Sequence, residues 1–118
     1  MKYPMPTRRL LFAALATGGL LLGTATASQA ADEEAAKALA RQSNCFKCHA
    51  VDKKKEAPPW REVAAKYKGK PEAEAKLIHH ITSGERVKFE DGHEESHKIV
   101  QSTDPVQIKN LVDWILSL

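Results

Sequence analysis

The chain's two cysteines, Cys45 and Cys48, stand three positions apart, and His49 follows at once in the run Cys45-Phe46-Lys47-Cys48-His49. Two thiols at this spacing can add to the two vinyl groups of one haem, and the next residue then presents an imidazole to its iron. Three other chemistries use such a pair. A redox dithiol belongs at a helix start in a βαβ unit, and no such strands are legible here. A zinc site needs four ligands, so one cysteine pair would have to recruit from His79, His80, His93 and His97. A disulfide closing so short a loop would stabilise little. The motif therefore points to covalent haem c, with His49 as the proximal iron ligand.

A second constellation lies downstream. His93-Glu94-Glu95-Ser96-His97 spells H-E-x-x-H. On a helix this would put two imidazoles on one face with a glutamate base, the zinc-protease arrangement. The segment reads as loop, and no third ligand or substrate cleft is evident.

The elements that must position these residues are helical. Asp32-Glu33-Glu34 followed by Ala35, Ala36, Ala38, Leu39 and Ala40 predicts a helix to about Gln42. Residues 50–59 read as loop. Trp60 to Tyr67 reads as a short helix closed by Gly69, and Pro71 suits the first position of a helix running through Thr82 to a stop at Gly84. Residues 85–103 show no clean period and read as one long loop, a feature usually tied to function in a small domain. Asp104 and Pro105 begin a last helix whose inward face is Ile108, Leu111, Val112, Ile115 and Leu118. No segment shows strand alternation. The expected class is all-α, about four helices in one domain around one haem.

The first thirty residues stand apart. Lys2, Arg8 and Arg9 precede an apolar stretch from Leu10 to Gly23, and Ser28-Gln29-Ala30 offers small residues for cleavage after Ala30. This is the pattern of a signal peptide over residues 1–30, with the domain over 31–118. The stretch is too short for the ~20 residues that span a bilayer, so no membrane insertion is expected. Thr7-Arg8-Arg9 hints at twin-arginine export. Haem is attached to such chains after export, which favours translocation unfolded. The whole chain carries +3, but three of its 18 basic residues fall in the leader, leaving 15 against 15 acidic side chains. A neutral domain gives no reason for a nucleic-acid partner. Its 88 residues are few enough that a cofactor would help to stabilise it.

With the motif and elements in place, the chain resembles the class I c-type cytochromes of the short bacterial kind, the c-551 and c-552 group. The resemblance covers essentially all of residues 31–118. Beyond the attachment motif it rests on Pro58-Pro59-Trp60, Val63-Ala64-Ala65-Lys66-Tyr67, His80-Ile81-Thr82-Ser83-Gly84 and Leu111-Val112-Asp113-Trp114-Ile115-Leu116-Ser117. It implies that the Pro58 carbonyl accepts from the His49 ring N–H, that Trp60 packs near the haem, and that His80 lies near a haem propionate. Trp114 would anchor the last helix against the first. It implies a one-electron carrier exchanging electrons with redox partner proteins; the leader places it in the periplasm, 88 residues leave little room for a substrate cavity and so for an enzyme, and a neutral domain of this size is compatible with a monomer.

The sequence departs from that family at the sixth iron position. The only methionines are Met1 and Met5, both in the leader, so the usual His/Met pair has no methionine to use. The expected distal ligand is His97, which lies seven residues before Asp104. Counting forward from Gly84 favours His93 instead. His79, His80, a lysine or an open position remain alternatives. An open or displaceable distal position would make the chain a haem-based gas-binding or sensor module. Lys47, Lys53, Lys54, Lys55, Lys66, Lys68 and Lys70 offer a basic docking face for acidic partners.

Overall fold

The computed structural model describes residues 29–118, so the expected leader lies, but for Gln29 and Ala30, outside the described residues. Helix α1 spans Glu33–Gln42. The Asp32 side chain caps it by accepting from the Ala35 N–H at 3.0 Å, and Glu33 and Glu34 favour its positive N-terminal end. A 3-10 turn over Cys45–Lys47 follows, then α2 over Trp60–Tyr67 and α3 over Ala73–Thr82. The last helix, α4, spans Pro105–Leu116, with Asp104 as its cap and Pro105 where no N–H is needed.

Helix α4 is the hub, packing against α1, α2 and α3. Its Ile108, Leu111, Val112, Trp114 and Ile115 are all buried. They meet Ala36, Leu39 and Ala40 of α1, with Trp60 and Leu77 in the same core. The small alanines let α1 approach closely. Polar contacts then fix the register. The Asn110 side chain accepts from the Asp32 N–H at 2.7 Å and donates to the Asp32 carbonyl at 2.8 Å. Trp114 stacks edge-on to Trp60, ring centres 5.4 Å apart, so it ties α4 to α2, while Lys37 of α1 lies over its ring.

Two expectations need correction. Residues 85–103 are not one structureless loop. Arg86–Lys88 (β1) and Glu94–Ser96 (β2) pair antiparallel, with Arg86 opposite Ser96 and Lys88 opposite Glu94. Apart from the half-buried Val87, every residue of both strands is exposed, so there is no alternation to read. The legible signal was the Asp91-Gly92 pair in the connection, where Gly92 adopts φ +91°. Pro71 also lies ahead of α3 rather than at its first position, because a turn closed by Ala73 N–H to the Lys70 carbonyl precedes the helix.

Gly84 sets the path from α3 into the hairpin. It adopts φ +66°, and a Cβ there would lie 3.2 Å from Ile99 Cδ1. Gly69, at φ +73°, faces open space. Gly84→Ala should therefore cost more than the ~1–2 kcal/mol of a left-handed residue alone, and Gly69→Ala no more than that. Chemical denaturation of the two variants of the holoprotein checks the order.

Candidate functional site

A cavity of ≈ 1070 Å³ lies between the helices and the hairpin. Its lining brings together Cys45, Cys48 and His49 of the attachment motif with Pro58, Trp60, His80 and His97 from farther along the chain, all singled out by the sequence. Val63, Leu77, Ile81, Leu111, Val112 and Ile115 supply an apolar wall. A smaller groove of ≈ 570 Å³, between Thr82 and Ile108, contains no cysteine or histidine.

One side of the cavity is built locally. Asn44 takes a left-handed conformation, φ 59°, which Asn tolerates better than most residues. The chain then tightens, with the Cys48 and His49 N–H groups both donating to the Cys45 carbonyl at 3.3 and 3.0 Å. This turn brings both thiols to the cavity with the imidazole beside them. Burial pushes the Cys45 thiol above its ordinary range, so it stays protonated.

His49 is fixed from two directions. Its Nδ1 lies 3.1 Å from the Pro58 carbonyl. A carbonyl only accepts, so Nδ1 carries the proton and Nε2 keeps its lone pair. The ring also stacks on Trp60, centres 5.4 Å apart and planes 20° from parallel. Burial, with His80 and Lys55 nearby, holds the imidazole below its usual range, and so neutral. Trp60 itself is buried between Phe46, His49 and Trp114.

The other side comes from the segment after β2. The His97 ring centre lies 6.3 Å from that of His49. Its backbone N–H donates to the Glu85 carbonyl at 2.8 Å, and Nδ1 donates to the Lys98 carbonyl at 2.9 Å. His97 therefore holds the same tautomer as His49, with Nε2 unprotonated. Burial and the neighbouring His80 push its pKa down to about 4.

His80 packs against His97 with ring centres 4.0 Å apart, and its Nδ1 bonds the Glu85 carboxylate. That bond holds the Glu85 carboxyl below its usual range. Sequence reasoning missed Glu85. Only the path of the chain from α3 into the hairpin brings it to both histidines.

His93 lies elsewhere, in the hairpin connection. It stacks on Phe89 at 4.3 Å, its Nδ1 pairs with Asp91, and it is not part of the cavity lining. The H-E-x-x-H run straddles a strand rather than a helix, so its two imidazoles do not share a helical face. Among the described residues no group of three or more His, Cys, Asp or Glu side chains is gathered for a metal ion.

The family model for cytochrome c matches residues 33–118. The chain belongs to the cytochrome c family. It is 35% identical over 102 residues to cytochrome c-551 of Stutzerimonas stutzeri, covering 84% of this chain and 91% of that protein. It is 39% identical over 74 residues to cytochrome c-551 of Pseudomonas aeruginosa, a match that spans 63% of this chain and 65% of that protein's length. Among solved structures it is similar to the class 1 cytochrome MtoD of Sideroxydans lithotrophicus ES-1. There the TM-score is 0.72 at 64% identity, over 75% of this chain and 97% of that one. Membership carries with it one covalent haem c and a place in electron transport between redox partners.

The residues present fit that group. Two thiols and an imidazole converge on a cavity with an apolar wall. The spacing of the two histidines is a second test. Two metal–nitrogen bonds of about 2.0 Å, each continued by ~1.1 Å from ring nitrogen to ring centre, separate imidazoles that share one metal by about 6.2 Å. The separation of His49 and His97 is 6.3 Å.

Trp60 serves both the core and the His49 imidazole, and its exposure is only 4%. Trp60→Ala should cost about 3–5 kcal/mol in the stability of the holoprotein, read from its denaturation midpoint.

Proposed function

We propose that the chain is a periplasmic one-electron carrier in which Cys45 and Cys48 would hold the haem by thioether bonds and the imidazoles of His49 and His97 would both bind its iron. The observation that carries this reading is the pairing of the two rings. Their ring centres lie 6.3 Å apart, each with Nδ1 tied to a backbone carbonyl and Nε2 left to donate. His93, engaged by Asp91 and Phe89 outside the cavity, has no comparable arrangement.

Haem c supplies the one-electron couple of its iron. The protein's part is to hold and orient. Pro58 and Lys98 fix the tautomers by accepting from Nδ1, which also raises the basicity of the donor nitrogen. Both imidazoles are kept neutral by burial, so neither has to lose a proton in order to donate. The apolar wall of α3 and α4 limits water and lowers the local dielectric. Imidazole in place of the methionine sulfur, which raises haem potentials, sets the couple below that of His/Met relatives.

The periplasmic assignment rests on the basic and apolar leader of residues 1–30, and on the redox chemistry of attaching haem to thiols outside the cytoplasm. No helix among the described residues is long and apolar enough to cross a membrane.

His97→Ala should convert a low-spin spectrum to a high-spin one that binds CO, while His93→Ala should leave the spectrum unchanged. A wild-type protein that already binds CO rapidly would instead favour a gas-binding role. Absorption and EPR spectra of the oxidised and reduced holoproteins distinguish these outcomes.

The partner surface is proposed to be basic. Lys47, Lys53, Lys66, Lys68 and Lys70 are exposed, the first next to the attachment cysteines and Lys66 on the cavity rim. Acidic partners would be attracted over about a Debye length of ~10 Å at 0.1 M salt. The second-order rate of electron transfer to an acidic redox protein should fall as ionic strength rises. A rate indifferent to salt, measured by stopped flow, removes the basic face.

A further inference from the structure

Glu85 sits at the bend where α3, having passed Gly84, enters β1, and it touches the distal side of the cavity twice. Its backbone carbonyl accepts from the His97 N–H at 2.8 Å. Its carboxylate accepts from His80 Nδ1, and its second oxygen lies 3.7 Å from His79 Nε2. His80 in turn lies against His97, ring centres 4.0 Å apart and planes inclined by 44°. The backbone bond fixes where the His97 main chain runs but leaves its ring free to rotate about χ1 and χ2. The Nδ1 bond to the Lys98 carbonyl restrains that rotation on one edge. On its face, the ring is restrained by His80, and His80 is oriented by a bond to Glu85.

We propose that Glu85 is a positioning residue for the His97 imidazole, acting through His80 to set the orientation of the distal ring. This rests on the reading of His97 as an axial ligand. The ring planes of His97 and His49 are inclined by 56°. In an iron held by two imidazoles, that inclination governs the splitting of the low-spin EPR g values and thus has a signature independent of stability or activity. The Glu85 side chain is 41% exposed and takes no part in the core, so substituting it leaves the packing of α1 to α4 intact.

The experiment compares holoprotein carrying Glu85→Ala, Glu85→Gln, His80→Ala, and Glu85→Ala combined with His80→Ala. EPR of the oxidised form is recorded, together with CO capture by the reduced form, whose rate reports release of the distal ligand. Glu85→Ala is expected to shift the largest g value and to speed CO capture about three- to tenfold, the factor expected for losing one hydrogen bond. Glu85→Gln keeps an acceptor for His80 and should stay close to wild type. His80→Ala should reproduce the Glu85→Ala change, and adding Glu85→Ala to it should change nothing more, because the two act in series. Wild-type g values and CO kinetics in Glu85→Ala overturn the proposal, as does a further shift from Glu85→Ala in the His80→Ala background. A wild-type spectrum without a low-spin bis-imidazole signal would overturn the reading of His97 itself, and that failure is visible before any Glu85 variant is made.

Discussion

This domain is arranged around two neutral imidazoles that line one cavity with their ring centres 6.3 Å apart. An imidazole donates to a metal only when it is unprotonated and aimed, and both conditions are met by the same device. Nδ1 is given to a backbone carbonyl, of Pro58 on one side and Lys98 on the other. A carbonyl cannot donate, so it fixes the tautomer whatever the solvent does. Burial then disfavours the charged form of both rings. The helices are the means of holding those two carbonyls at a constant separation, and α4 manages it by packing against the other three helices at once.

The two sides are held with different stiffness. His49 follows a tight turn nucleated by a left-handed Asn44, and it stacks on a tryptophan that is itself wedged among Phe46 and Trp114. Moving that ring means disturbing the core. His97 lies just past a hairpin whose strands are almost wholly exposed and whose connection carries Glu90 and Asp91. What fixes it is polar and local: the Glu85 carbonyl, the Lys98 carbonyl and the adjacent His80. Hydrogen-bonded surface segments open more easily than buried ones. The His49 side is therefore the rigid reference, and the His97 side is the more adjustable of the two.

Much of this architecture was legible in the sequence where the determinants are local. Asp32 and Asp104 cap α1 and α4 as their residue types suggest, and the apolar face from Ile108 to Ile115 is buried as its spacing suggests. His49 and Pro58 are nine residues apart, and the structure places the His49 Nδ1 3.1 Å from the Pro58 carbonyl. The strands of the hairpin were not legible, because three-residue segments of Arg-Val-Lys and Glu-Glu-Ser carry no alternation when both faces meet water, and only the Asp91-Gly92 pair between them marked the turn. Nor was the grouping of His80, Glu85 and His97. It depends on a bend at Gly84 and on a strand pairing that returns residue 97 to residue 85, and neither leaves a periodic mark.

The same non-local return explains how a histidine of this segment reaches the cavity. A hairpin brings its two ends back to one place, so the residue after β2 comes down beside the residue before β1. Glu85 and His97 are that pair, joined by a backbone hydrogen bond of 2.8 Å. Immediately beyond, the Val100 N–H donates to the Ile81 carbonyl at 2.9 Å and Val100 enters the core. His97 is thus anchored between the hairpin's closing bond and a buried valine three residues on. The exposed tip can change its sequence without moving His97, whereas the bend at Gly84 cannot: an added Cβ would press on Ile99 within that same anchored segment.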